Sequence, residues 1–126
     1  SAAIEYAVKE LKIQHLIVLG HTDCGGIKTG YSLHSNNLNP DYEFINKWLS
    51  ILLPAFNNIA KDVSKEKQIK QLEEESIKNS VINLFSFPYI KKAVEDKNLS
   101  IHGLIHNIGS GGLKFLNPIT EDFENL

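Results

Sequence analysis

Ala3, Ile4, Ala7, Val8 and Leu11 recur at helical spacing and predict an amphipathic helix over residues 2–12. Residues 16–19 follow as an unbroken, partly β-branched apolar run closed by Gly20, the pattern of a strand buried in a parallel sheet. A glycine-rich turn over residues 20–26 leads into a short helical stretch near Ile27 and Lys28, and residues 32–40 read as loop. Asp41 is placed to cap a helix whose stripe is Phe44, Ile45, Trp48, Leu49 and Leu52. Pro54 breaks or kinks it, and Ala55, Phe56, Ile59 and Val63 continue a second stretch. From Ser64 a long helix turns Ile69, Leu72, Ser76, Ile77, Val81, Leu84 and Phe85 inward and leaves Glu73, Glu74 and Glu75 as a solvated face. Pro88 opens another helix that buries Ile90, Ala93 and Val94. Residues 99–105 alternate as a strand, residues 109–112 form a hairpin turn, and residues 113–116 return antiparallel.

This order is the syntax of an α/β fold with a mostly parallel sheet, flanking helices and a C-terminal antiparallel hairpin strand. Three strands are expected where a sheet has about 4–6, and a parallel strand buried on both faces needs neighbours on either side. The predicted architecture is therefore incomplete at its N-terminal edge, with residues 1–126 forming one incomplete domain. All 13 basic residues are lysine, and methionine is absent even from the first position. Both features suggest a chain cut from something longer. Such a cut exposes a sheet edge and apolar surface, so the chain should associate or be partly molten.

Composition adds exclusions. With 42% apolar and 22% charged residues and a net charge of -2, the chain is neither a disordered tail nor a basic nucleic-acid binder. Its apolar runs fall short of the ~20 residues that span a bilayer. Cys24 is the one cysteine, which rules out an internal disulfide and suits a reducing compartment, the cytoplasm.

The chemistry lies in Gly20-His21-Thr22-Asp23-Cys24-Gly25-Gly26, at the carboxyl end of the first predicted strand, where open α/β sheets place ligands. Imidazole and thiolate three residues apart on a turn can both face one ion, and both are good zinc ligands, although two donors are only half of zinc's usual four. The following glycines and helix start let backbone N–H groups meet an anion and favour the thiolate. The competing reading is a buried cysteine beside a turn histidine. Asp23 is expected to be an exposed residue capping the next helix. His102 and His106, i and i+4 on a strand, stand about 13 Å apart and cannot share an ion. His106 as a proton carrier is a minor reading, since histidine is the usual shuttle near neutral pH. His15 and His34 read as strand-edge and loop residues, and Trp48 as a core or interface anchor.

The segment from Ile17 to Lys28, Ile-Val-Leu-Gly-His-Thr-Asp-Cys-Gly-Gly-Ile-Lys, resembles the second zinc motif of β-class carbonic anhydrases. Phe44-Ile-Asn-Lys-Trp-Leu49 with Leu53-Pro-Ala55 is similar to a helix of the family's plant-type branch. Residues 74–84 with Phe87-Pro88 resemble its long helix, and residues 99–108 with Gly112-Leu-Lys114 its last strand, hairpin and edge strand. The resemblance implies reversible hydration of carbon dioxide to bicarbonate at a Zn2+ ion. It assigns His21 and Cys24 as two of three protein ligands and the backbone at Gly25 to substrate or bicarbonate. It also implies a homodimer or higher homo-oligomer. The family's first ligand and its aspartate–arginine pair come from an upstream Cys-x-Asp-x-Arg motif that is absent here, so this chain alone is expected to be inactive. Two other readings stay open: a non-catalytic scaffold of the same fold, and a small-anion binder using the Gly25-Gly26 turn.

Overall fold

The structure, a computed structural model, describes residues 1–36 and 39–126. The first helix, α1 (Ala2–Lys9), is shorter than its periodicity suggests, because Lys12 turns left-handed at φ 51° before the chain enters β1 (His15–His21). Helix α2 (Gly25–His34) extends three residues into the stretch expected to be loop. Tertiary contacts hold that last turn: the His34 ring packs 5.5 Å from Phe56, and its Nε2–H donates to the Leu49 carbonyl at 3.1 Å. His34 is thus a helical residue. Asn37 and Leu38, in the same predicted loop, lie outside the described residues.

Asp41 does not cap α3 (Glu43–Leu49), whose N-cap is Tyr42 without a side-chain bond. Asn39 organises that entry instead. Its carbonyl accepts from the Tyr42 N–H and the Asn46 side chain, and its Oδ1 accepts from the Asp41 N–H. The chain then passes through a 3-10 turn (Ser50–Leu52) into α4 (Leu53–Asn57) with Pro54 in its first turn, as the proline implies. Ile59 and Val63 follow α4 rather than extending it, yet Ile59 is buried. Helix α5 (Lys65–Leu84) starts at Ser64, whose hydroxyl accepts from the Lys67 N–H. It is followed by α6 (Pro88–Glu95), β2 (Ser100–His106), β3 (Leu113–Leu116) and β4 (Phe123–Asn125).

The four strands lie in the order β1-β2-β3-β4. β1 and β2 are parallel, in register from His15↔Ser100 to His21↔His106, and β2–β3 and β3–β4 are antiparallel. The 107–112 turn carries the positive φ of Gly111 (74°), where a side chain would be strained. β4 was not legible in the sequence: three residues, one of them apolar, carry too little alternation. The α/β class and the C-terminal hairpin are found as expected; the described sheet is not mostly parallel, since β3 and β4 return through short turns and pair antiparallel, leaving β1–β2 as its one parallel pairing.

Two apolar clusters form the core, the first among helices and the second between helices and the sheet. One joins Ile27, Ala55, Ile59 and Leu72; the other joins Leu84, Ile90 and Leu99, with Ile4, Val8, Leu16 and Val18 packed against it. Among the described residues β1 is covered on one face only, in contrast to the expected burial on both. Ile17 and Leu19 on its other face are 58% and 62% exposed. The stripe of α3 also faces outward: Leu49 is buried, but Phe44 and Trp48 are 79% and 61% exposed. Phe85, predicted to point inward, is the exposed C-cap of α5.

α5 crosses β1 and β2 where each strand offers a glycine. A Cβ on Gly20 would meet Ile77 Cδ1 at 2.6 Å, and one on Gly103 would meet Ile77 Cγ2 at 3.0 Å and Leu116 Cβ at 3.2 Å. Alanine would lower the entropy of the unfolded chain, worth about 0.4–1 kcal/mol, but the overlap outweighs that gain. Gly103→Ala is expected to lower stability by about 1–2 kcal/mol net, measured by urea unfolding. Gly20→Ala should cost less because it meets the movable end of Ile77, and Ile77→Val should relieve part of that cost. Unchanged midpoints for both alanine variants would refute the tight seating.

Candidate metal centre

His21 is the last residue of β1, and Cys24 immediately precedes α2, so the two candidate ligands flank one turn at the carboxyl end of a parallel strand. Cys24 adopts extended backbone (φ -70°, ψ 120°), and its carbonyl accepts the first helical bond from the Lys28 N–H at 3.0 Å. Its thiol is half-buried and makes no disulfide. Between the ligands, Asp23 is left-handed at φ 60°, a conformation uncommon for a residue other than glycine.

Three interactions fix this turn. The Thr22 N–H donates to the His106 carbonyl at 2.9 Å, and the Thr22 hydroxyl accepts from the Ile108 N–H at 3.1 Å, continuing the β1–β2 pairing past its last residue. From α5, the Glu73 carboxylate accepts from the Asp23 N–H at 2.8 Å, with the Cys24 N–H close by. The third sets the histidine. His21 Nδ1 lies 2.9 Å from the Thr22 carbonyl, an acceptor only, so Nδ1 carries the proton and donates. Nε2 is left with the lone pair, the tautomer a metal needs.

Asp23 does not cap α2. Its exposed carboxylate pairs with Lys28 Nζ at 2.6 Å, and the hydrogen bond and charge of that lysine hold it below the usual carboxylate range. Such an exposed pair is screened by water and adds little stability. Gly26 leaves room between the Cys24 thiol and the Trp48 indole: a Cβ there would sit 3.7 Å from Sγ and 3.5 Å from the ring. Trp48 is an exposed flank of the site, not part of the core. Gly25 opens α2 as an exposed residue with nothing within 4 Å of where its side chain would be, and at the first helical position its N–H has no intrahelical partner.

Glu73 is the functional residue that sequence reasoning missed. Read as part of a solvated acidic face, it is 6% exposed, and Glu74 and Glu75 are half-buried. The signal was spacing: Glu73 stands four residues from both Ile69 and Ile77, inside the apolar stripe. Among the described residues no three His, Cys, Asp or Glu side chains converge on one point. His106 is the register partner of His21 on β2, whereas His102 meets His15, the ring nitrogens being 3.0 Å apart.

A family profile described as Carbonic anhydrase matches residues 1–113. The chain belongs to the β-carbonic anhydrase family. Beta carbonic anhydrase 3 of Arabidopsis thaliana is 35% identical over 113 residues, which are 87% of this chain and 44% of that protein. Beta carbonic anhydrase 6, mitochondrial, of the same plant is 31% identical over 117 residues, 90% of this chain and 40% of that one. The chain thus spans under half the length of these relatives. Among solved structures, the β-carbonic anhydrase CcaA superposes with a TM-score of 0.82 at 27% identity, covering 99% of this chain and 56% of that one. A tetrameric β-carbonic anhydrase of Sordaria macrospora gives 0.79 at 27% identity over 92% of this chain and 58% of that one. The family's α/β fold is therefore the fold of this chain.

Burial raises the proton affinity of Glu73 above the usual glutamate range, and the N–H bonds from Asp23 and Cys24 oppose it. The folded state holds this proton more tightly than the unfolded chain does. The associated stability is present below the usual glutamate value and is lost as pH rises through the raised one. Glu73→Gln keeps an acceptor for the turn and has no proton to lose, so its unfolding free energy should be flatter than wild type across that mildly acidic interval. Glu73→Ala leaves the Asp23 N–H unpaired and should cost about 1–3 kcal/mol. Urea titrations at several pH values test both; identical pH profiles for wild type and the glutamine variant would show that Glu73 does not titrate there.

Proposed function

We propose that the whole protein catalyses the reversible hydration of carbon dioxide to bicarbonate, and that residues 1–126 are one incomplete domain of it. The observation that carries this reading is the turn itself. His21 Nε2 is left as a lone-pair donor by the Nδ1–H bond to Thr22, beside Cys24 at a strand end, in a chain of this family. The donor chemistry of imidazole and thiol fits Zn2+, and His21 and Cys24 would be two of its three protein ligands, leaving one coordination position open. Zinc bound there supplies the Lewis acidity that makes water a nucleophile at neutral pH. The chain's own part is positional. Thr22 holds the imidazole tautomer, Glu73 pins the backbone between the ligands, and the Gly25 N–H, without an intrahelical partner at the start of α2, would orient a substrate or bicarbonate oxygen.

The remaining ligand and the aspartate–arginine pair are assigned to sequence outside residues 1–126, since Cys24 is the one cysteine and arginine is absent. The chain alone is therefore expected to be inactive. A non-catalytic scaffold is the second reading, favoured by the two-donor set. Among the described residues no helix is long and apolar enough to cross a membrane. Placement in the cytoplasm rests on the unpaired cysteine, with the mitochondrial relative marking the alternative compartment.

The test is zinc per chain by elemental analysis, together with stopped-flow carbon dioxide hydration, on the whole protein purified under reducing conditions. Near one zinc per chain and measurable hydration are expected. His21→Ala or Cys24→Ser should lose the metal and lower activity by more than the ~10–100-fold that removal of an outer-shell partner costs. A whole protein without zinc or activity would leave the scaffold reading. Assembly as a homodimer or larger is proposed from the exposed Ile17 and Leu19 beside His21 and from Trp48. Leu19→Lys should shift sedimentation toward smaller species; an unchanged distribution removes this face from the interface.

A further inference from the structure

A cleft of about 800 Å³ lies at the opposite end of the sheet from His21, between α1 and α6. That volume is in the range of small-molecule sites. Its character comes from a repeated piece of local structure. α1 and α6 are each followed by a left-handed lysine, Lys12 (φ 51°) and Lys97 (φ 59°), and the chain enters a strand three residues after each. Those entry residues, His15 and Ser100, are register partners on adjacent parallel strands. The register therefore sets the two lysines at the same level on neighbouring turns, and both line the cleft.

Helix ends attract lysine because their carbonyls carry partial negative charge, and that explains two other lysines of the cleft. Lys9 in the last turn of α1 pairs with Glu5, and Lys92 in the last turn of α6 pairs with Asp96. It does not explain Lys12 and Lys97. They lie beyond the helix ends, make no ion pair among the described residues, and occupy a backbone conformation that glycine or asparagine adopts at lower cost.

A second observation is independent of charge. Tyr89, at the start of α6, lines the same cleft, and among the described residues its hydroxyl is the one buried side-chain polar atom without a hydrogen-bond partner. Native structures rarely leave such a donor unpaired. The apolar wall beside it is Val8, Ile13 and Ala93.

We propose that this cleft binds a small organic anion, a phosphate monoester or a carboxylate with an apolar body. Its charge lies between Lys12 and Lys97, its body rests against Val8, Ile13 and Ala93, and the Tyr89 hydroxyl, closed to solvent in the free protein, is uncovered to donate to one oxygen as the ligand seats. The site shares no residue with the His21–Cys24 turn, so it stands or falls independently of the proposed catalysis.

The experiment is calorimetric titration of the whole protein with phenyl phosphate and with inorganic phosphate. Phenyl phosphate is expected to bind more tightly, in a manner weakened by added salt; equal affinity for the two probes would overturn the organic assignment. Tyr89→Phe, which keeps the ring, should weaken binding about five-fold, the worth of one hydrogen bond. Lys12→Gln with Lys97→Gln should weaken it by at least as much again. No heat with either probe, or heat unchanged in these variants, would overturn the site. Thermal unfolding without ligand gives a second readout. Removing a donor that has no partner in the free protein should leave the Tyr89→Phe midpoint unchanged or raised. A clearly lowered midpoint would show that the hydroxyl serves the fold and not a ligand.

Discussion

The rest of the molecule depends on how closely α5 is seated on the first two strands. Ile77 fills the space that Gly20 and Gly103 leave open, and one helical turn earlier Glu73 reaches the backbone N–H groups of Asp23 and Cys24. The first contact is apolar and sets the depth of the helix. The second is polar and sets the path of the turn. Without side chains at positions 20 and 103 the helix comes close enough for a glutamate, whose reach is short, to hold a left-handed aspartate between the two candidate ligands.

That arrangement carries a cost the fold accepts. A carboxylate in the apolar stripe of a helix loses hydration, and two N–H donors recover only part of it, so the raised proton affinity of Glu73 is the signature of a position kept for geometry. Glutamine would satisfy the donors without the charge. Why glutamate stands there is not explained by packing. Its negative charge close to the Cys24 backbone places it among the groups that shape the electrostatics of the turn.

How much of this could be read from sequence divides along physical lines. Local chemistry was legible: the apolar run of β1, the Gly-His-x-x-Cys turn, the serine that caps α5 and the proline opening α6 act over a few residues and are found where expected. The family, legible in the same turn and in the order of elements after it, was confirmed by comparison. Tertiary choices were not legible. Glu73 looked solvated because three consecutive acids suggest water, although only its spacing from Ile69 and Ile77 mattered. The stripe of α3 looked like core because periodicity shows which residues share a face and not what covers it; Phe44 and Trp48 point outward. His34 takes its role from Leu49 and Phe56, 15 and 22 residues on, which no local pattern encodes.

One exposed apolar surface lies beside the His21–Cys24 turn. His21, Leu19 and Ile17 share one face of β1, an edge strand among the described residues, and Trp48 flanks Gly26 beside the Cys24 thiol. Apolar side chains about 60% exposed beside two metal-type donors are poor design for a free surface and good design for one that other protein covers. A covering surface would also exclude water from the donors, which strengthens every electrostatic interaction made there. On the proposed metal reading, missing coordination and missing burial would be met together by protein laid against that face of β1.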